Sequence, residues 1–250
     1  MGLPVVLVHG LRTSRTMWRA QVEALERAGR TAHAVDLPGH GARVGEPFTF
    51  DGAVATVRQA ADVVGLSLGG YVAIAHAARH PEQVAGLVAA SCSTRPLRPL
   101  VEGWSLAVRG IVRLPDHGER LNAFMVRRFL PAPGAVDVGA GGFALLVTED
   151  VLRQVATAAP HDDLATIEAP VWLVNGRYDH FRGDERAFLR ACRHGRLVVV
   201  PGATHLVSLV APERFTRVVL EALDEVDGTD ASRAAAAAVS RDAGVRRAAS

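Results

Sequence analysis

The chain opens on Pro4-Val5-Val6-Leu7-Val8, an unbroken apolar and β-branched run ended by His9-Gly10. A strand with no polar face must be covered on both sides, so this run predicts a central strand of a parallel sheet. Met17, Trp18, Val22 and Leu25 follow near helical spacing with Gly29 as a stop, which predicts a helix over 16–28. A short strand over 31–36 ends at Asp36, and Leu37-Pro38-Gly39-His40-Gly41 is a loop by its Pro and Gly content. A helix near 51–60 leads to the strand Asp62-Val63-Val64, an Ala-rich helix runs to about His80, and Val84 to Ala90 reads as another buried strand.

The alternation then breaks. Residues 94–160 carry helical apolar stretches around Trp104, Val108 and Ile111, then Leu121, Phe124, Met125 and Phe129, with Pro- and Gly-rich punctuation at 131–134 and 139–142. Strand-type signal resumes at Val171-Trp172-Leu173-Val174. A helix near 184–193, the strand Leu197 to Val200 and an amphipathic helix over about 212–225 complete the pattern. The fold class is therefore α/β: a mostly parallel sheet of about six strands, helices on both faces, and a helical insertion. The chain divides into a core of residues 1–93 and 161–226, a helical cap or lid over 94–160, and an Ala/Arg-rich tail over 227–250 that includes five successive alanines.

Composition narrows the functional classes. At 250 residues, 49% hydrophobic and 22% charged, the chain fits one globular α/β domain, and a net charge of +2 implies neither a nucleic-acid nor an anionic-membrane partner. Every basic residue is Arg, which excludes a P-loop lysine and a Schiff-base lysine. Cys92 and Cys192 are far apart and form no CxxC, so thiolate metal sites are out and two free buried thiols are expected. The run Val5 to Val8 is too short for a signal peptide or a membrane span, so the expected compartment is the reducing cytoplasm.

Gly65-Leu66-Ser67-Leu68-Gly69 is a G-x-S-x-G sequence between a strand and a helix. That turn lifts a serine hydroxyl above the sheet in a strained backbone conformation, and the flanking glycines leave it room. The hydroxyl needs a base. His205, in Gly202-Ala203-Thr204-His205, stands past the last strand, where an open sheet presents its ligand crevice. Asp179, reached from the strand 171–174 through Asn175-Gly176-Arg177-Tyr178, is the acid that would orient that base; Asp184, one turn on, is expected to cap the next helix. The oxyanion donors are the N–H groups of Leu68 and Leu11, the latter in the loop after the first strand. His76 and His80 lie four apart on one helix, but without a third ligand they read as a solvated helix end, and no metal or cofactor is called for.

These landmarks, with Asp36-Leu37-Pro38-Gly39-His40-Gly41, cover about residues 3–226, and together they resemble the α/β-hydrolase superfamily in its compact lipase- or esterase-like branch. The resemblance implies cleavage of a carboxylic ester or lactone through an acyl-enzyme, and a cap in the insertion. C–C bond hydrolysis, lyase or cofactor-free perhydrolase chemistry on the same triad, and a non-catalytic ligand-binding homologue, stand as alternatives. Relatives usually begin with two further strands; here the His-Gly strand starts at residue 4, which leaves a sheet edge less protected and favours a homodimer. The expected partner is a small apolar acyl ester or lactone. Leu97, Leu100, Trp104, Phe124, Met125, Phe129, Phe143 and Leu146 are its apolar inventory, most of them expected in the cap's own core, with Trp104, Phe124, Met125 and Phe129 as pocket candidates. Arg12 is a candidate partner for a substrate carboxylate, set against the commoner fate of an internal salt bridge.

Overall fold

The computed structural model describes residues 3–58 and 61–228. Six strands, β1 (Val5–Val8), β2 (Ala32–Val35), β3 (Ala61–Leu66), β4 (Val84–Ala90), β5 (Val171–Gly176) and β6 (Gly195–Val200), form one sheet in the order β2-β1-β3-β4-β5-β6. Every neighbouring pair is parallel. β2 and β6 are its two edges. The carboxyl ends of all six strands therefore lie along one rim.

The strand pleat divides each apolar run between two cores. Val6, Val8, Val63, Leu87, Ala89, Val171 and Leu173 join one cluster; Val5, Leu7, Val64, Leu66, Val88, Trp172 and Val174 join the other. This is why the runs show no alternation. The first layer holds α2 (Phe50–Val54), α3 (Leu68–Arg79), α8 (Pro160–Thr166) and α9 (Glu185–Ala191). The second holds α1 (Arg19–Arg27) and the last helix (residues 212–228). Trp18 and Phe215 meet there at 5.9 Å between rings. Burying an aromatic side chain of that size stabilises the fold by roughly 1.5–3 kcal/mol.

The predicted helix over 16–28 is a 3-10 turn, Arg15–Trp18, running into α1. It stops where expected: Gly29 takes φ +77°, and Arg30 N–H closes onto the Leu25 carbonyl. The predicted helix near 51–60 is shorter than its pattern. It starts on a Thr49 side-chain cap and ends at Val54, two residues before Thr56 turns its hydroxyl back to the Gly52 carbonyl. The last helix runs longer, through residue 228, so the tail expected from 227 begins as helix and otherwise lies outside the described residues. Both cysteines are free; Cys92 is buried and Cys192 only half-buried. No helix among the described residues is long and apolar enough to cross a membrane.

Between β4 and β5 stand α4 (Arg98–Val112), α5 (Glu119–Phe129), α6 (Ala132–Ala140) and α7 (Thr148–Val155), followed by α8. Their inward face is built from valines: Val101, Val108, Val138, Val151 and Val155 are buried. The larger ones do not form the internal core expected of them. Leu97, Trp104, Phe124, Met125, Phe129 and Leu146 are exposed, and the Leu100 side chain lies outside the described residues. Short helices laid on an existing domain bury valines against it and leave little interior of their own for large side chains.

Candidate active site

Ser67 begins where β3 ends. It is the N-cap residue of α3 with φ +56° and ψ −115°, a conformation few side-chain-bearing residues adopt, and it is held there by its N–H donating to the Ala90 carbonyl at 2.8 Å. The flanking glycines are sterically required. A Cβ on Gly65 would strike the Gly69 carbonyl, and one on Gly69 would strike the Val8 carbonyl. Leu66 packs fully buried beneath the turn.

His205 comes from the loop after β6. A Cβ on Gly176, at the end of β5, would strike the Thr204 carbonyl, so glycine there lets the two loops touch. The contact is stitched by Tyr178 N–H donating to the Ala203 carbonyl at 2.9 Å and Arg177 N–H to the Val200 carbonyl at 3.0 Å. The outcome is a relay. His205 Nε2 lies 3.0 Å from Ser67 Oγ, and His205 Nδ1 lies 3.0 Å from Asp179 Oδ1. Nδ1–H donating to the carboxylate leaves Nε2 free to accept the serine proton.

Asp179 is buried, and burial by itself would push its pKa up. The hydrogen bond and the charge of His205, with the hydrogen bond from Phe181 N–H, outweigh that and hold it below the ordinary carboxylate range. Asp184 is elsewhere. It is the N-cap residue of α9 without a side-chain cap bond, and its carboxylate instead accepts Arg95 N–H at 2.9 Å.

Gly10 runs beside the serine; a Cβ there would stand 3.4 Å from Ser67 Cβ. Leu11 follows it, and among the described residues neither the Leu11 nor the Leu68 N–H has an internal acceptor. The loop is anchored by His9, whose Nε2 accepts Leu37 N–H at 3.0 Å and whose Nδ1 donates to the Gly10 carbonyl at 2.8 Å. The first of these needs a neutral ring, because a protonated Nε2 cannot accept. Burial, and then the neighbouring His40, lower the His9 pKa to about 3, only partly offset by the Gly10 hydrogen bond and by Asp36. The unfolded chain binds this proton from about pH 6.5 downward, so the folded state binds fewer protons in between. Stability is then full above pH 6.5 and falls with acidification until about pH 3. In urea unfolding at pH 7.5 and at pH 5, His9 is expected to contribute a loss of about 1.4 kcal/mol per pH unit below 6.5, to which His40 and His76, also lowered by burial, add in the same direction. Equal stability at the two values would remove this role for His9.

The remaining residues divide. Trp104 of α4 stacks on His180 at 6.1 Å and on Phe181 at 6.1 Å. Those two rings in turn lie 5.0 and 4.9 Å from the His205 ring. Trp104 is thus joined to the site, while Phe124, Met125 and Phe129 lie exposed on α5, which packs on α6. His180 and Phe181 carry no motif of their own; their one sequence signal is position, directly after Asp179. Arg12, at φ +61°, makes no ion pair among the described residues; its Nε donates to Thr148 Oγ1 at 3.4 Å. The expected internal salt bridge is therefore absent there, because the acids near this loop are taken by Arg15 and Arg19. His76 is not at a solvated helix end but buried, its Nδ1 3.2 Å from the Val54 carbonyl.

With this geometry, comparison with known proteins is specific. The sequence profile of the alpha/beta hydrolase family matches residues 5–218. A pimeloyl-[acyl-carrier protein] methyl ester esterase of Neisseria meningitidis is 30% identical over 84% of this chain and 89% of its own. A thermophilic esterase from Thermogutta terrifontis, solved with malate bound, superposes with a TM-score of 0.74 at 27% identity, covering 90% of this chain and 91% of that one. An E-2-(acetamidomethylene)succinate hydrolase, at 20% identity, shares the fold with a TM-score of 0.76 over 90% of this chain and 92% of its own.

Proposed function

This chain belongs to the alpha/beta hydrolase family and is a carboxylic ester hydrolase; from that premise we propose that Ser67, His205 and Asp179 cleave a small carboxylic ester or lactone by way of an acyl-enzyme. The observation that carries the proposal is the unbroken relay of two 3.0 Å contacts ending on a serine in strained geometry. Ser67 Oγ attacks the carbonyl carbon while His205 Nε2 takes its proton. The carbonyl oxygen becomes an oxyanion between the Leu11 and Leu68 N–H groups, with the N-terminal end of α3 directed at it. Asp179 holds the imidazole tautomer and stabilises the imidazolium. That imidazolium passes the proton to the departing alkoxide, releasing alcohol and leaving the acyl group on Ser67. Water, deprotonated by the same nitrogen, then attacks the acyl carbon; the proton returns to Ser67 as the acid leaves. The helices of 94–160 serve as a cap, with Trp104 the side chain that ties it to the site.

A fluorophosphonate probe tests the assignment, because it reacts with an activated serine and not with a hydroxyl lacking a base. Mass spectrometry of the folded protein is expected to find one adduct, on Ser67, with hydrolysis of 4-nitrophenyl butyrate lost in step with labelling. Ester hydrolysis that persists after full reaction, or an adduct on another residue, would overturn it.

A further inference from the structure

Three arginines lie in or just after the loop that follows β1, and they are treated differently. Arg15 pairs with Asp36 at 2.9 Å and Arg19 with Asp137 at 2.7 Å. Arg12 has no acid. Its Nε reaches a neutral hydroxyl, Thr148 Oγ1, and one of its terminal nitrogens is buried with no hydrogen-bond partner among the described residues. Burial accordingly lowers its pKa, with no carboxylate opposing that effect. A guanidinium presents five donors in a planar fork suited to a carboxylate, and a buried one left unsatisfied is costly. The backbone bears a cost as well, since Arg12 holds φ +61°, where glycine is the usual residue. The loop is otherwise rigid: Thr13 Oγ1 donates to the Gly10 carbonyl at 2.7 Å, and Ser14 caps the following turn.

Position says what the charge is for. Arg12 is the next residue after Leu11 and two after Gly10, which abuts Ser67. Two residues span at most about 7 Å, so the Arg12 backbone stands at the serine's own end of the sheet, and its side chain reaches from there to Thr148 at the start of α7. We propose that Arg12 binds a free carboxylate on the acyl portion of the substrate, so that the enzyme prefers half-esters of dicarboxylic acids to uncharged esters. The inference rests on the triad reading above and adds to it a class of substrate.

The test compares mono(4-nitrophenyl) glutarate with its uncharged methyl ester, two substrates with the same leaving group and acyl chain. The wild type is expected to show a higher kcat/KM for the charged one. Arg12→Gln should cut the charged-to-uncharged ratio by about 10- to 100-fold, the range of a charge-assisted hydrogen bond, and Arg12→Lys should restore part of it. Calorimetric binding of glutarate, expected for wild type and lost in Arg12→Gln, needs no turnover. Should Arg12→Gln fail to fold, the wild-type ratio and the competition of glutarate against its diamide decide the matter. An equal ratio in wild type and variant, or inhibition by the diamide as strong as by glutarate, would overturn the role of Arg12. Hydrolysis of the uncharged ester that disappears in Ser67→Ala would leave the triad standing in that case; uncharged-ester hydrolysis that survives in Ser67→Ala would count against the triad, while glutarate binding still reports on Arg12.

Discussion

Ser67→Ala is expected to lower kcat on an activated ester by about 10⁶-fold. The hydroxyl removed is the one His205 Nε2 faces at 3.0 Å, and no other hydroxyl among the described residues is hydrogen-bonded to that nitrogen. What remains is the pair of backbone donors at Leu11 and Leu68 together with binding, which still accelerates attack by water to a small degree. The variant should fold normally. Alanine meets the same φ of +56° with a Cβ of the same bulk, and the Ser67 N–H bond to the Ala90 carbonyl is a backbone contact that survives. Steady-state hydrolysis of 4-nitrophenyl butyrate, read beside thermal unfolding by circular dichroism, separates the two effects. A folded variant that keeps a rate near wild type would mean that another group carries the attack.

Asp179→Asn should cost about 10⁴-fold in kcat while leaving the architecture in place. Oδ1 accepts both Phe181 N–H at 2.8 Å and His205 Nδ1–H at 3.0 Å, so one amide atom must stand where both contacts meet. With the amide nitrogen there, the ring carries its proton on Nε2, the nitrogen that must accept one from Ser67; with the amide oxygen there, the imidazolium still loses its counter-charge. Asp184→Asn is the matched control. That carboxylate contacts Arg95, outside the relay, so its replacement is expected to alter kcat only a few-fold, as for a residue outside the reacting unit. Measuring kcat for both variants tells the two acids apart; equal losses would refute the choice of Asp179.

Much of this was legible in the residues because the local demands are strict. A tight strand-to-helix turn tolerates glycine alone at 65 and 69, so the motif announces its geometry. Gly29 marks the end of α1 for a similar reason, by its positive φ. Other features depend on partners distant in sequence. The helix at 50–54 stops early through the bonds of Thr56, and the large apolar side chains of 94–160 lie outside because the inward space is filled by valines. Helical spacing reports which residues share a face. It does not report whether that face finds a neighbour.

The order of apolar runs and glycine turns determined that this is a parallel α/β sheet with a serine on a tight strand-to-helix turn, since strand burial and backbone strain are local properties of the chain. The same reading placed Asp179 and His205 past their strands, but tertiary structure alone decided the distances at which they meet that serine, that His180, Phe181 and Trp104 gather beside them, and that Arg12 is left without a counter-ion among the described residues. Those relations join residues scores of positions apart. They are set by how parallel strands align their ends and how closely Gly176 lets two loops approach, distances that no run of neighbouring residues encodes.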